Sequence, residues 1–246
     1  MVKRPISTIE PLVDCDFDEN YYAYYSDLEI GSEEGSAIPL YIGDSMSGGS
    51  RCGKLFVLAG PSGVGKTTLA TELLVRLGKT YNLARVVTYT TKSPRNGEVA
   101  GVDYHYLTTQ EFEAKLSTGF FIEHSQAYGH YYGSPKSMLL ELKAGKSFLL
   151  IVDQAGAQRI KAQYPAAILI WIVPPHLAEL ADRLKKRATE TSVDIEKRLM
   201  IAAHEITNEL QQRQFDYIVE NDILVQTVET LAQILKAEIQ SGSANC

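Results

Sequence analysis

Short apolar runs alternate along this chain with stretches in which apolar side chains recur every three or four positions. The runs are Leu55-Phe56-Val57-Leu58-Ala59, Arg85-Val86-Val87-Thr88, Phe148-Leu149-Leu150-Ile151-Val152-Asp153, Ile168 to Val173 and Tyr217-Ile218-Val219. Runs of this length, bounded by polar residues, predict buried strands. Helices are predicted where Leu177, Leu180, Ala181 and Leu184 fall at i, i+3, i+4 and i+7. The same holds where Ile195, Leu199, Ala202, Ile206 and Leu210, and then Val228, Leu231, Ala232 and Leu235, mark one face. From Lys54 onward strands alternate with helices, which is how a three-layer α/β core with a parallel sheet reads.

Two stretches break the alternation. After Thr88 comes a polar loop, Thr90 to Glu98, and then a strand-like Tyr104-His105-Tyr106-Leu107. Thr108 and Glu111 have capping-box spacing before a short helix to Leu116, Phe120 to Ala127 reads as a strand, and Gly129 to Ser134 as a turn. An insert of about 50 residues with mixed, partly β character is too long for a crossover loop, so a subdomain is expected. The segment Arg183 to Arg198 is rich in charge and poor in apolar residues, as a mobile lid would be. Residues 1–52 show no sustained period. They contain the cluster Tyr21-Tyr22-Ala23-Tyr24-Tyr25 and a linker-like Ser45-Met46-Ser47-Gly48-Gly49-Ser50, and read as an acidic, disordered extension. The alternative is that the tyrosines dock on the folded body or on a partner, which the sequence does not name. No internal repeat is found.

Charge sharpens this division. The 246-residue chain has a formal charge of −6. Residues 1–50 hold two basic and ten acidic side chains, and the remaining 22 basic and 20 acidic ones nearly balance. Neither part carries the basic stripe of a nucleic-acid binder. Cys15, Cys52 and Cys246 are widely spaced and form no C-x-x-C, which argues against a disulfide framework or zinc site and for a reducing compartment. No apolar run reaches membrane-spanning length, and the start Met-Val-Lys-Arg-Pro-Ile-Ser-Thr lacks the apolar stretch of a signal peptide, so a cytoplasmic address is expected.

The clearest chemistry lies between the first strand and its helix. Gly60-Pro61-Ser62-Gly63-Val64-Gly65-Lys66-Thr67, followed by Thr68-Leu69-Ala70-Thr71-Glu72-Leu73-Leu74, satisfies G-x-x-x-x-G-K-[ST] in a strand, loop, helix context. In such a loop, backbone N–H groups line a concavity and the helix N-terminus adds positive potential, so a polyphosphate fits. Lys66 would reach the β- and γ-phosphates, and the Thr67 hydroxyl would ligate Mg²⁺.

The loop, together with T-T-K-S-P-R-N-G-E-V-A-G-V-D-Y from Thr90 to Tyr104, F-I-E-H-S-Q-A-Y-G-H-Y-Y-G-S, R-L-K-K-R-A-T-E-T, I-E-K-R-L and F-D-Y-I-V-E-N-D, closely resembles guanylate kinase over about residues 53 to 240. The resemblance implies a P-loop core, a GMP-binding subdomain at roughly 87–137, a helical lid at about 183–198, and transfer from ATP to GMP or dGMP with Mg²⁺. It places Arg95, Tyr104 and Tyr132 on the acceptor phosphate and Glu123 on guanine. Guanine's adjacent N1–H and N2–H donors suit a carboxylate's two oxygens. Thr88 and Ser134 would serve the remaining base edge, and Glu98 would orient the clamp or base. Arg183, Arg187 and Arg198 match the lid and the helix after it, of which Arg187 and Arg198 would stabilise the transferred phosphoryl, and Asp153 would hold Mg²⁺ or its water shell. Each residue also has an ordinary reading: solvated surface charge for the arginines, most of all Arg183, and a strand-end cap for Asp153.

The chain departs from the family pattern twice. Lys92 stands where an arginine is usual in the clamp, and Ile151-Val152-Asp153-Gln154-Ala155-Gly156 where Asp-x-Asp-x-Gln-Gly is usual. Two other functions therefore stay open at this stage: a kinase of this fold with another acceptor such as a ribose bisphosphate, and a non-catalytic guanylate-kinase-like interaction module. The sequence also leaves a homodimer open.

Overall fold

The computed structural model describes residues 52–127, 129–185 and 192–241. The acidic extension, with its tyrosine cluster, and Arg187 lie outside them. In chain order the elements are β1 (Leu55–Ala59), α1 (Lys66–Leu77), β2 (Leu83–Arg85), β3 (Thr88–Thr90), β4 (Tyr104–Tyr106), α2 (Thr109–Ser117), β5 (Phe121–Ala127) and β6 (His130–Pro135). They continue with α3 (Met138–Lys143), β7 (Ser147–Ile151), α4 (Gln154–Gln163), β8 (Ile168–Val173), α5 (Leu177–Lys185), α6 (Ser192–Gln212), β9 (Tyr217–Glu220) and α7 (Leu224–Gln240).

Five strands form an all-parallel sheet in the order β2-β7-β1-β8-β9. Every residue of β1 and β8 is buried, which is why these strands read as continuous apolar runs rather than as an alternation. Successive side chains divide between two cores. Phe56 and Leu58 join Leu69, Leu73, Leu180, Leu184, Leu231 and Leu235. Leu55, Val57 and Ala59 join Ile160, Trp171, Met138 and Leu142. Helices cover both faces, as the alternation of strand and helix implied.

A second sheet, in the order β4-β3-β6-β5, takes up the expected insert. The single strand anticipated over Arg85 to Thr88 is divided between the two sheets. Val86 N–H still donates to Leu149 O in the core, whereas Thr88 pairs with Tyr104. Gly129 to Ser134 is a strand for most of its length and not a turn: β6 pairs with both β5 and β3. Composition suggested a turn because two glycines flank the tyrosines, but Gly133 has a different use. A Cβ there would lie 2.8 Å from Phe121 and 3.0 Å from Phe112, so the glycine lets the strand pass against an aromatic stack. Thr108 and Glu111 form the predicted capping box at the start of α2.

Helices α3 and α4 have no counterpart in the sequence expectations. The buried residues of α4 are Gln154, Gly156, Ala157 and Ile160, and with Ile160 as the one large apolar side chain among them they give no apolar period. The described parts of the charged segment are helical: Arg183 lies in the last turn of α5, and Arg198 in the second turn of α6. Cys52 is disulfide-bonded, and the expectation against a disulfide framework does not bear on a single bond.

Phe112 anchors α2 to the second sheet. It is fully buried, and its ring stacks on Phe121 at 4.6 Å and on Tyr131 at 5.3 Å. Phe112→Ala is expected to cost about 3 to 5 kcal/mol of stability in urea unfolding. A loss below about 1 kcal/mol would show that this sheet does not depend on the stack.

Candidate active site

The loop between β1 and α1 has the backbone that its glycines predict. Gly60, Gly63 and Gly65 have φ of 147°, 90° and 100°, and Gly65 is the N-cap of α1. The Lys66 ammonium donates to Gly60 O at 2.6 Å and to Pro61 O at 2.9 Å, so its charge lies along the loop. Thr67 and Thr68 are exposed on the first turn of α1. Three side chains from the far end of the chain brace the loop. Arg198 donates to Ser62 Oγ at 2.7 Å, and Asn221 Nδ2 to Val64 O at 2.7 Å. Arg183 reaches Val64 O at 3.5 Å and Asn221 O at 3.0 Å. Arg183 is therefore no ordinary surface charge.

In the second sheet, Glu123 on β5 faces Ser134 on β6 in register, and the Ser134 hydroxyl donates to Glu123 Oε1 at 2.6 Å. The register shifts between Phe121 and Glu123, and Phe121, Ile122 and Glu123 are all buried in succession, as an irregular strand permits. Only 4% of the Glu123 surface is exposed. Burial pushes its carboxyl up to about 7, the Ser134 hydrogen bond offsets part of this, and the nearby Asp153 charge adds to it. Thr88, also buried, lies opposite Tyr104 in the β3–β4 register.

The polar loop folds onto a lysine. Lys92 is 7% exposed and donates to both oxygens of Glu98 at 2.6 Å, while its ammonium lies 4.6 Å from the centre of the Tyr104 ring. Glu98 also accepts from the Arg95 N–H and the Tyr106 hydroxyl, each at 2.8 Å. Burial pushes the Glu98 carboxyl up, but these bonds outweigh it and hold the group below its ordinary value. Arg95 is exposed, and its charge acts on Tyr104 and Tyr132, whose rings are 6.3 Å apart. Burial raises both phenols.

Asp153 lies between these two ends. Its Oδ1 caps α4 by accepting from Gly156 N–H at 2.6 Å, so the strand-end cap is real. A Cβ on Gly156 would lie 3.1 Å from both Asp153 Oδ1 and Glu123 Oε2, so this glycine separates the two acids. Sequence reasoning missed Glu205 on α6. Burial pushes its carboxyl up to about 7, Lys66 opposes this, and Asp153 reinforces it. Its one sequence signal is spacing: it falls seven residues after Arg198, hence on the same helix face. Asn221 was likewise missed, although it lies in the quoted F-D-Y-I-V-E-N-D. The charge of Arg198 is felt at Tyr132. The loop, Asp153, Glu123 and the tyrosine pair thus belong to one electrostatic unit.

The guanylate kinase family model matches residues 52–238. The chain belongs to this family. It is 39% identical over 186 residues to guanylate kinase of Dechloromonas aromatica, a match covering 75% of this chain and 89% of that protein. It is 39% identical over 187 residues to that of Clostridium tetani, covering 76% and 86%. The crystal structure of guanylate kinase from Anaplasma phagocytophilum superimposes with a TM-score of 0.63 at 31% identity, covering 77% of this chain and 87% of that one.

Within a family that usually places arginine at position 92, a buried ammonium clamped by one carboxylate makes a structural demand. Lys92→Met keeps most of the stem and removes the charge, leaving Glu98 without its ion-pair partner. A loss of about 3 kcal/mol in urea unfolding is expected, because breaking a buried pair strands the other charge. A stability within about 0.5 kcal/mol of wild type would show that the pair is solvated and weak.

Proposed function

We infer that this protein is a guanylate kinase that transfers the γ-phosphoryl group of ATP to GMP or dGMP. One observation carries the reading: a complete phosphate-binding loop and a buried carboxylate suited to guanine share one family domain, joined through Asp153. Residues 60–68 bind the ATP phosphates, with Lys66 swinging from the loop carbonyls to the β,γ-bridge. The second sheet, within about 87–137, is the GMP-binding subdomain. Arg95, Tyr104, Tyr132 and Lys92 present cationic and hydroxyl donors to the GMP phosphate, and Glu98 holds Lys92. Glu123 accepts N1–H and N2–H of guanine, with Thr88 and Ser134 beside it. Arg198, already on the loop, and Arg187 neutralise the transferred group as the lid at about 183–198 closes.

Thr67 and Asp153 suit Mg²⁺, because a hydroxyl and a carboxylate are hard oxygen donors of the kind it takes. Among the described residues no group of three or more His, Cys, Asp or Glu is arranged to hold a metal. Thr67 and Asp153 would hold the ion or its water shell, and the ion would supply positive charge that offsets the nucleotide phosphates. No helix among the described residues is long and apolar enough to cross a membrane.

Lys66→Met should reduce turnover by roughly a hundredfold or more in a coupled ADP assay, since one preorganised cation is lost. Activity near wild type would remove the loop from the mechanism. Glu123 gives a pH signature. Its carboxyl, up at about 7 in the folded protein against an ordinary 4.5, is mostly protonated at pH 6 and mostly ionised at pH 8. Guanine needs the ionised form, so KM for GMP should fall by about tenfold over that interval. GMP's own phosphate loses a proton near pH 6, so Glu123→Gln supplies the baseline. That variant should show only the phosphate's pH dependence and lose about two to three orders of magnitude in kcat/KM for GMP, with a smaller change for AMP. Equal pH profiles in the two proteins would sink the guanine assignment.

A further inference from the structure

Near the end of the loop one residue lies between two permissive ones. Val64 is flanked by Gly63 and Gly65, at φ of 90° and 100°. The Val64–Gly65 peptide turns about the ψ of Val64 and the φ of Gly65, and glycine tolerates either orientation. One orientation serves an anion and the other repels it. In a planar trans peptide the carbonyl and the following N–H point in opposite directions. A Val64 carbonyl aimed away from the cradle therefore sends the Gly65 N–H into it, and a flip would put the carbonyl's negative end against the phosphates.

Among the described residues two side chains donate to this carbonyl, Arg183 at 3.5 Å and Asn221 at 2.7 Å, and the closer one comes from the edge of the sheet. Asn221 directly follows β9, is 6% exposed, and is tied to β8 by its N–H on Val173 O at 2.8 Å. Its Nδ2 donates to Val64 O at 2.7 Å, and its own carbonyl accepts from Arg183 at 3.0 Å. The fit is close: a Cβ on Gly65 would stand 2.6 Å from Asn221 Nδ2. Glycine at 65 thus allows both the left-handed backbone and the approach of the amide.

We propose that Asn221 is a positioning residue that locks the Val64–Gly65 peptide in its anion-binding orientation, with Arg183 at the end of α5 steadying the lock. Asn221 acts on the polyphosphate through the loop and independently of the nucleoside. The inference rests on the assignment of this loop to the ATP phosphates.

The test uses the full chain with Asn221→Ala, which removes the donor, and Asn221→Asp, which keeps the shape but sets an acceptor against the carbonyl. Calorimetry would measure binding of inorganic tripolyphosphate with Mg²⁺, of ATP with Mg²⁺, and of GMP. Both variants should lose about tenfold in affinity for tripolyphosphate and for ATP alike, the scale of one hydrogen bond, with Asp at least as impaired as Ala. GMP binding should stay within about twofold. The proposal is overturned if tripolyphosphate binds both variants as it binds wild type, or if only ATP is weakened, which would mean that Asn221 acts through the nucleoside. A parallel loss of GMP binding in both variants overturns it too, because the effect would then be general unfolding. Failure of the wild-type protein to bind either polyphosphate overturns the loop assignment and this proposal with it.

Discussion

The structure depends on a stretch of backbone that must aim N–H groups at an anion while leaving no room for side chains. All three of the loop's glycines have positive φ, and each is also a point of close approach. A Cβ at Gly60 would stand 2.3 Å from Ile172 O on β8, and one at Gly63 would stand 2.9 Å from Leu184 on α5. The loop is therefore conformationally permissive and also wedged between the central strand pair and the helices after it. Helix α5, helix α6 and the end of β9 each send one side chain back to it. The order of the sheet explains why this works. With β1 flanked by β7 and β8, the carboxyl ends of the parallel strands open onto one crevice, where ligands bind in sheets of this kind.

Charge is arranged in that crevice so that acids and cations hold one another in check. Glu123 and Glu205 are both raised by burial and both feel Asp153, while Lys66 pulls Glu205 down and Arg159 pulls Glu123 down. Desolvation is the larger cause in both acids and the Asp153 charge adds to it, so these two carboxyls keep their protons more readily than exposed ones. Asp153, held by its cap on α4, is the charge that both buried acids share.

Most of the fold was legible because the signals were local. Continuous apolar runs marked β1, β7 and β8, helical periodicity marked α5, α6 and α7, and Thr108 with Glu111 marked the start of α2. The failures were tertiary. Val86 and Thr88 belong to different sheets, a division that propensity cannot register. Gly133 reads as a turn glycine until Phe112 and Phe121 are seen against it, and α4 is hidden because a small-residue face packs on the sheet. In the site, the loop was legible as a contiguous motif. Asn221, Glu205 and the Arg183 contact were not, since each acts on a residue more than a hundred positions away and carries no local pattern.

The two departures from the family pattern have different physical consequences. At position 151 the aliphatic side chain packs against the same core as Phe56 and Leu58, so the carboxylate usual there is replaced by burial. A second carboxyl, Glu205 on α6 rather than on the strand, nonetheless feels the Asp153 charge. Removing charge from the strand also lowers the repulsion that a third acid would add beside Asp153. At position 92 the exchange is tighter. Lysine offers three donors, and the two Glu98 oxygens already engage its ammonium, whereas an arginine fork could hold a carboxylate and still present further N–H groups to a phosphate. In this chain, therefore, the Lys92 ammonium is committed to Glu98 and to the face of the Tyr104 ring, while Arg95, whose charge acts on Tyr104 and Tyr132, stays exposed.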